Sequence, residues 1–308
     1  MEKVRRAAIC YFFLQGLAVV GWWVFLYLRP DSQVWFVLDP HSAVSLYSFL
    51  IGDLLLIAPG SIATAVLVKL RWRHASAFTW LVTGGIAYAS FYTFAYVLQT
   101  DVGWLGLALM FPSLLWSGVF ASALTLGGEM FRKSSPGTTR YILLKTLAQI
   151  LVVWTLILGV FPYLIRLLED KLSITHIELS MQQPIAAVLF IAISLLGIWA
   201  AVVMSRVGKG TPLPLDHATE LVVTGPYRYV RNPMALSGIG QGIAVAMFLG
   251  SPLVLIYALM GSAIWQLVFR PIEEDDLEAR FGDSFRSYRT AVRCWIPNLS
   301  SYSGPADR

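Results

Sequence analysis

Eight apolar stretches dominate this sequence and constrain its fold more than any other feature. Six are long enough to cross a membrane and cover residues 7–28, 43–68, 76–98, 104–126, 141–165 and 184–204. A spanning helix needs about 20 mostly apolar residues. Two shorter stretches, 234–249 and 252–269, are separated only by Gly250-Ser251-Pro252 and predict a tight helical hairpin. Because lipid cannot satisfy the backbone groups of open strands, the sequence predicts an all-α polytopic membrane helix bundle of about eight transmembrane helices.

The composition excludes an ordinary soluble domain. Hydrophobic residues make up 57% of the chain and charged residues only 13%, whereas a soluble domain carries about 25% charged residues. Many of the 11 Trp and 13 Tyr lie near the ends of apolar stretches, as an interfacial aromatic belt requires. The first stretch is longer than the apolar part of a secretory signal, which has about 7–15 residues. It therefore predicts a retained first helix.

Every second loop is rich in basic residues, and this alternation predicts the orientation of the bundle. Basic residues lie before the first stretch, at 69–73, at 132–140, at 205–233 and after 270, while the loops between are poor in bases or acidic. Basic loops stay in the cytoplasm. The pattern predicts eight helices with the N- and C-termini cytoplasmic. The net charge of +5 reflects this orientation, and no nucleic acid is expected as a partner.

Two polar segments, residues 205–233 and 270–308, flank the predicted hairpin on its cytoplasmic side. A hairpin brings its two ends together, so these segments should meet. In the first, prolines fix turns at Gly225-Pro226 and Asn232-Pro233, with two aromatics and two arginines between them. The second carries near its start Glu273 and Glu274, a carboxylate pair suited to an amine, ribose hydroxyls or a sulfonium. Taken singly, each motif also has a structural explanation. The arginines and tyrosines could be interfacial anchors, and the acidic run could be a helix start favoured by the macrodipole.

These motifs carry a family resemblance. Gly-Pro-Tyr-Arg-Tyr-Val-Arg-Asn-Pro-Met, at 225–234, is similar to the Gly-x-Tyr…Arg-His/Asn-Pro motif of the isoprenylcysteine carboxyl methyltransferase and phospholipid methyltransferase superfamily. Arg-Pro-Ile-Glu-Glu, at 270–274, followed by Phe281-Gly282 and Trp295-Ile-Pro, resembles its second motif at matching spacing. The resemblance covers about residues 208–297. It implies a membrane methyltransferase that uses S-adenosylmethionine at the cytoplasmic face of a bacterial inner membrane.

The resemblance also implies partners and a domain division. The acceptor would be a lipophilic small molecule or a lipid, with membrane lipids around the bundle and no metal expected. Residues 1–180 would form about five N-terminal transmembrane helices. Residues 181–300 would form the methyltransferase module with its cofactor pocket, and residues 301–308 a disordered tail.

Twelve residues are assigned to the site by this resemblance. Arg231 or Arg270 would hold an anionic acceptor by charge-assisted hydrogen bonds, and Glu274 completes the catalytic set. Asn232 stands where the prenylcysteine enzymes carry His, and Ala235 where a Tyr is common, so we expect a different substrate pocket. The residues expected to bind the cofactor are Glu220, Leu221, Val222, Tyr227, Asn232, Pro233, Met234, Ala235 and Glu273.

Two other functions remain open at this point. Membrane reductases of the steroid 5α-reductase and sterol reductase type use NADPH and share a similar Arg-x-x-Arg-His-Pro-like turn. A transporter or scaffold with a degenerate cofactor module is the non-enzymatic alternative. The Glu-Glu pair followed by Phe-Gly and Tyr favours methyl transfer.

Several polar or small residues inside the apolar stretches have structural explanations. Gly238–Gly242 resembles a nucleotide fingerprint but lacks a preceding strand, so we interpret it as helix packing. Asp53, near the middle of the second stretch, should either pair with another helix or bind a substrate. The glutamines should bond between helices, and neither the cysteines nor the histidines have metal-ligand spacing. The residues are Gln15, Gln149, Gln241 and Gln266; Cys10 and Cys294; His41, His74, His176 and His217.

Overall fold

A computed structural model confirms the all-α fold. It describes residues 1–39, 42–130, 132–133, 139–208, 216–217 and 219–302. Eight helical segments follow the eight apolar stretches, and among the described residues seven of them are long and apolar enough to cross a membrane. They are α1 (Glu2–Leu28), α2 (Val44–Lys69), α3 (Ala75–Thr100), α4 (Trp104–Leu126), α5 (Leu144–Lys171), α6 (Gln182–Gly208) and α8 (Pro252–Ala291).

The eighth segment, α7 (Pro233–Leu249), is the short first arm of the hairpin. Its 17 residues give a length of about 25 Å. The predicted number of about eight transmembrane helices is therefore close to the seven that meet the length criterion. Strand structure within the described part of the chain is limited to a two-residue parallel pairing of β1 (Arg132–Lys133) with β2 (Asp216–His217).

The contacts divide the chain into two compact units, Met1–Gly127 and Gly128–Arg308. The sequence-based division at residue 180 stays a prediction. In the predicted disordered tail, the backbone N–H of Tyr302 donates to the carbonyl oxygen of Arg228 at 3.1 Å. Residues 303–308 of that tail, His41, and residues 209–215 and 218 of the polar loop lie outside the described residues.

Polar contacts join the helices within the first unit. The Gln15 amide on α1 donates to Ser61 Oγ on α2 at 3.2 Å and accepts from Ser117 Oγ on α4 at 3.0 Å. Trp23 Nε1 on α1 donates to Asp53 Oδ2 on α2 at 2.9 Å. The expected interhelical bond is thus confirmed for Gln15, and Asp53 does pair with another helix.

Small residues on α7 allow its neighbours to approach closely in the second unit. A Cβ atom added to Gly240 would lie 2.7 Å from Ile193 Cδ1 on α6, and one added to Gly242 would lie 3.0 Å from Ala258 Cβ on α8. Gln241, between them, donates to Ser194 Oγ on α6 at 2.8 Å. The interpretation of this glycine run as a packing motif is confirmed.

The turn between α7 and α8 is fixed by its own sequence and by the segment before α6. Gly250 has a φ of +62°, which glycine adopts without steric cost. Ser251 Oγ accepts from the N–H of Val254 and so caps α8. Glu169 Oε1 accepts from the N–H of Leu253 at 2.7 Å. These contacts hold the hairpin closed at the end opposite to the two polar segments.

The helix α8 continues well beyond the apolar stretch. It runs as a regular helix from Pro252 to Ile264, widens into a π-helical turn at Trp265–Phe269, and continues as the polar helix Arg270–Ala291. Its charges are spaced for helical pairing, because Asp276 and Arg280 form an ion pair one turn apart. The acidic segment after the hairpin is therefore a rigid extension of the hairpin itself as far as Gly282, whose φ of +52° breaks the helix.

Candidate active site at the base of the hairpin

The polar loop before the hairpin and the polar helix after it are in direct contact, as the hairpin topology predicts. The backbone N–H of Arg231 donates to the carbonyl oxygen of Arg293, and the N–H of Asn298 donates to that of Tyr229. Tyr288 Oη donates to the carbonyl oxygen of Tyr227 at 2.6 Å. Backbone hydrogen bonds of this kind fix the register between the two segments.

The segment Leu221–Val223 forms one wall of the candidate site, and its side-chain contacts alternate as in an extended chain. Alternate side chains face opposite ways in an extended chain. Accordingly, Leu221 and Val223 pack against the cluster of Phe285, Tyr288 and Val292. Val222 instead packs with Ala200 and Tyr227. The backbone of Leu221–Val223 makes no hydrogen bond to any residue that the structure describes, so its amide and carbonyl groups are available to a ligand.

Glu220 precedes this wall and is exposed, whereas Tyr227 is buried deeply beside it. Tyr227 is only 5% exposed. Its phenol oxygen and Thr224 Oγ1 are both buried and have no hydrogen-bond partner within the described part of the chain. Burial, and then the nearby charge of Glu273, raise the pKa of Tyr227 well above its usual value. Orphaned buried polar atoms are costly, so these two atoms mark a place where a polar ligand would be stabilising.

The start of α7 forms the second wall. Asn232 caps the helix, because its Oδ1 accepts from the N–H of Ala235 at 3.0 Å, and Pro233 supplies a fixed φ at the first helical position. The Asn232 amide Nδ2 donates to Glu273 Oε2 at 3.2 Å. Met234 packs against the cluster that contains Val222 and Tyr227. Asparagine at this position thus joins the loop to the acidic helix while starting α7.

Glu273 and Glu274 are adjacent in sequence but have different environments. Glu274 Oε1 accepts from Arg231 Nη1 and from Arg270 Nε, both at 2.8 Å. The side chains of Arg231 and Glu274 are 10% and 11% exposed. Burial alone would raise the pKa of Glu274, but the bond from Arg270 and the charge of Arg231 hold it below its usual value. Glu274 is therefore an ionised anchor between loop and helix.

Glu273 forms no ion pair of this kind with any residue that the structure describes, and its carboxyl is more basic than usual. Burial, followed by the like charges of Glu274 and Asp276, raises the pKa of Glu273 to about 7. The polar part of α8 follows the apolar stretch, so this carboxyl lies outside the membrane-spanning segment. A carboxylate desolvated in this way gains more than an exposed one from a cationic ligand. Glu273 is the acidic group of the site with the most to gain from binding.

The arginine pair retains hydrogen-bonding capacity. Arg231 Nε donates to the carbonyl oxygen of Val292, and Arg270 Nη1 donates to Gln266 Oε1. Each guanidinium has five N–H donors, and the Nη2 group of each has no partner among the residues described. The structure shows that both arginines donate to Glu274. Their predicted contact with an anionic methyl acceptor stays a prediction.

The sequence analysis gave no site role to several residues here, although it placed Trp295 in the second motif and expected Gln266 to bond between helices. Trp295 Nε1 and Arg270 both donate to Gln266 in the wide turn of α8, and the buried indole N–H of Trp265 in the same turn has no acceptor within the described residues. Thr224 and Tyr288 complete the set. One local pattern in this region was visible in the sequence. Arg270 and Glu274 are four residues apart, a spacing that favours an ion pair on a helix.

An apolar cavity of about 440 Å³ lies between α5, α6 and α7. Phe190, Ala244 and Phe248 are among its lining residues, and Arg166 is its charged lining residue. It lies toward the far end of α7, since Ala244 is 12 residues after Asn232, or about 18 Å along the helix. Within the described residues, no group of three His, Cys, Asp or Glu could hold a metal ion.

Comparison with known proteins agrees with this geometry. The model of the phospholipid methyltransferase family matches residues 181–284, about a third of the chain, and includes α6, α7, the polar loop and most of α8. Comparisons with curated proteins and with solved structures gave no match. The superfamily resemblance of the C-terminal third is thereby confirmed. The chain is a multi-pass membrane protein, and this match supports a membrane methyltransferase.

Proposed function

We propose that this protein transfers a methyl group from S-adenosylmethionine to a lipophilic acceptor at the cytoplasmic face of the membrane. The observation that carries the proposal is the contact of Asn232 with Glu273 inside the segment that matches the family. That contact closes the loop onto the acidic helix, and the same loop carries two buried oxygens that have no hydrogen-bond partner among the described residues.

The residues present fit this cofactor. Leu221 and Val222 would offer their backbone groups to an adenine or ribose, and the Tyr227 ring packs in one cluster with Val222 and with Met234 of α7. Glu273 would pair with the positive charges of the methionine end, and Thr224 would bond to a polar atom of the ligand. When bound, S-adenosylmethionine supplies a sulfonium-activated methyl group for transfer to a nucleophile.

The protein's own contribution is positioning and exclusion of water. Methyl transfer needs alignment of donor and acceptor more than a strong base when the acceptor is an anion or a neutral amine. Glu274 locks Arg231 and Arg270 at the junction of loop and helix, so that their free N–H groups face a fixed place. An anionic acceptor group would be oriented by these donors.

The most economical experiment compares two ligands. We expect purified protein in detergent to bind S-adenosylhomocysteine saturably, as measured by isothermal titration calorimetry, and to show no comparable affinity for NADPH. Preference for NADPH would replace the proposal with the reductase alternative. Failure to bind either ligand would favour a transporter or scaffold.

The affinity for S-adenosylhomocysteine should depend on pH through Glu273. Because its pKa is about 7, the carboxyl is ionised above this pH and protonated below it. The cationic amino group of the ligand should then bind most tightly above pH 7, with affinity falling by up to about tenfold for each unit below it. Titrations between pH 5.5 and 8.5 test this, and a flat profile would remove Glu273 from the site.

A further inference from the structure

A carboxylate lies within the apolar part of α2 without a cationic partner. Asp53 is in the 26-residue segment Val44–Lys69, whose most apolar 18-residue window has a mean hydropathy of 2.0. Ionisable side chains at such depth are costly and are usually functional. Trp23 Nε1 donates to its Oδ2, but its Oδ1 has no hydrogen bond, and the residue no ion pair, with any residue that the structure describes. Asp53 is only partly buried, so a charged group from outside the chain can reach it.

The ring that contacts this carboxylate, Trp23, belongs to a cluster of packed aromatic rings. The ring of Trp23 lies 4.8 Å from that of Trp22 and 6.1 Å from that of Tyr47, and Trp22 lies 5.5 Å from Phe36. The indole N–H of Trp22 is buried and has no acceptor among the described residues. Aromatic faces attract cations, and groups of them bind quaternary ammonium ligands. The cluster therefore places cation-attracting ring faces beside a negative charge.

A π-helical turn covers Asp53–Ile57, but it is one of four such turns among the described residues and does not by itself single out this position. This site would bind a metal ion weakly, because hard cations need several oxygen ligands and Asp53 supplies a single carboxylate next to an indole ring. An organic cation suits the same surroundings well.

We propose that the first unit binds a lipophilic organic cation, an amine or quaternary ammonium group on a hydrocarbon chain, at Asp53. The carboxylate pairs with the cationic nitrogen, and the rings of Trp22 and Trp23 contact its carbon substituents. This function is separate from methyl transfer and rests on a different unit. The competing explanation is purely structural, with Asp53 serving only as the acceptor for Trp23 in packing α1 against α2.

Asparagine at position 53 separates the two explanations, because it keeps a hydrogen-bond acceptor for Trp23 and removes the charge. The probe is radiolabelled hexadecyltrimethylammonium, titrated onto full-length protein in neutral-lipid nanodiscs, with hexadecanol as the uncharged comparison. We expect Asp53→Asn to weaken binding of the cation by at least roughly tenfold, because a desolvated charge would lose its partner. Binding of hexadecanol should not change.

Trp23→Phe is the matched control, since it removes the hydrogen bond but keeps a ring and the charge of Asp53. It should bind the cation within a few-fold of the wild type, and both variants should bind S-adenosylhomocysteine normally. The proposal is overturned if the wild type shows no preference for the cation over hexadecanol, whatever the variants do. It is also overturned if Asp53→Asn binds the cation like the wild type, or if Trp23→Phe loses as much affinity as Asp53→Asn.

Discussion

Replacing Glu274 with alanine should lower the free energy of unfolding by about 3 kcal/mol, because removing one partner from a buried ion pair leaves the others uncompensated. Here two guanidinium groups, those of Arg231 and Arg270, would lose their common acceptor. The loop and the polar helix would then be joined mainly by backbone bonds. Denaturant titration in mild detergent measures the loss, and affinity for S-adenosylhomocysteine should fall with it.

Glu278 provides a closely matched control. Its carboxylate also bridges two arginines, Arg286 and Arg289, at 2.7 Å each. That bridge is exposed to solvent and screened, and such pairs contribute little. Glu278→Ala should therefore leave stability and ligand affinity almost unchanged. Equal effects of the two substitutions would show that burial of the Glu274 bridge has no special role.

Replacing Glu273 with glutamine should reduce ligand affinity without reducing the stability of the apo protein, in contrast to Glu274→Ala. In the apo protein the pKa of Glu273 is raised to about 7, so the carboxyl is partly protonated near pH 7 and mostly ionised at pH 8. A group whose folded-state pKa is raised in this way costs stability when it ionises, and the cost grows as pH rises from its usual pKa through 7. Glu273→Gln removes that cost, so the apo variant should be at least as stable as the wild type at pH 8.

The same substitution should reduce affinity for S-adenosylhomocysteine by roughly ten- to a hundredfold at pH 8, since a charge-assisted contact becomes a neutral one. It should also flatten the pH profile of binding. Asp275→Asn, at an exposed position two residues along the helix, is the control and should bind normally. Loss of stability together with affinity would mean that Glu273 is a structural residue.

The helices were predictable because the constraint on them is simple. Twenty apolar residues in a row have few alternatives in lipid, so α1 to α6 follow the sequence pattern closely. The contact of the two polar segments followed from the hairpin alone, since Gly250 and Pro252 leave room only for a tight turn. The motif residues around Asn232 and Glu273 were also visible, because their spacing resembles a known family.

Other features depend on three-dimensional contacts that no local pattern encodes. The polar segment after Phe269 reads as a charged tail, and its helical continuation becomes clear only once Phe285 and Tyr288 are seen packed on the loop. Arg231 lies 43 residues before Glu274, a separation at which sequence gives no register. Packing also produces the π-helical turn at Trp265–Phe269. It likewise buries the side-chain oxygens of Thr224 and Tyr227, which have no hydrogen-bond partner among the described residues.

Hydrogen exchange at the backbone of Leu221–Val223 tests the central claim most directly. These amides have no hydrogen-bond partner in the described structure, so they should exchange within milliseconds to seconds in the free protein. Addition of saturating S-adenosylhomocysteine should protect them, together with the two separate peptides that contain Asn232 and Glu273, whereas NADPH should not. Unchanged exchange in this segment, under conditions where the ligand binds, would place the nucleotide elsewhere and contradict the account.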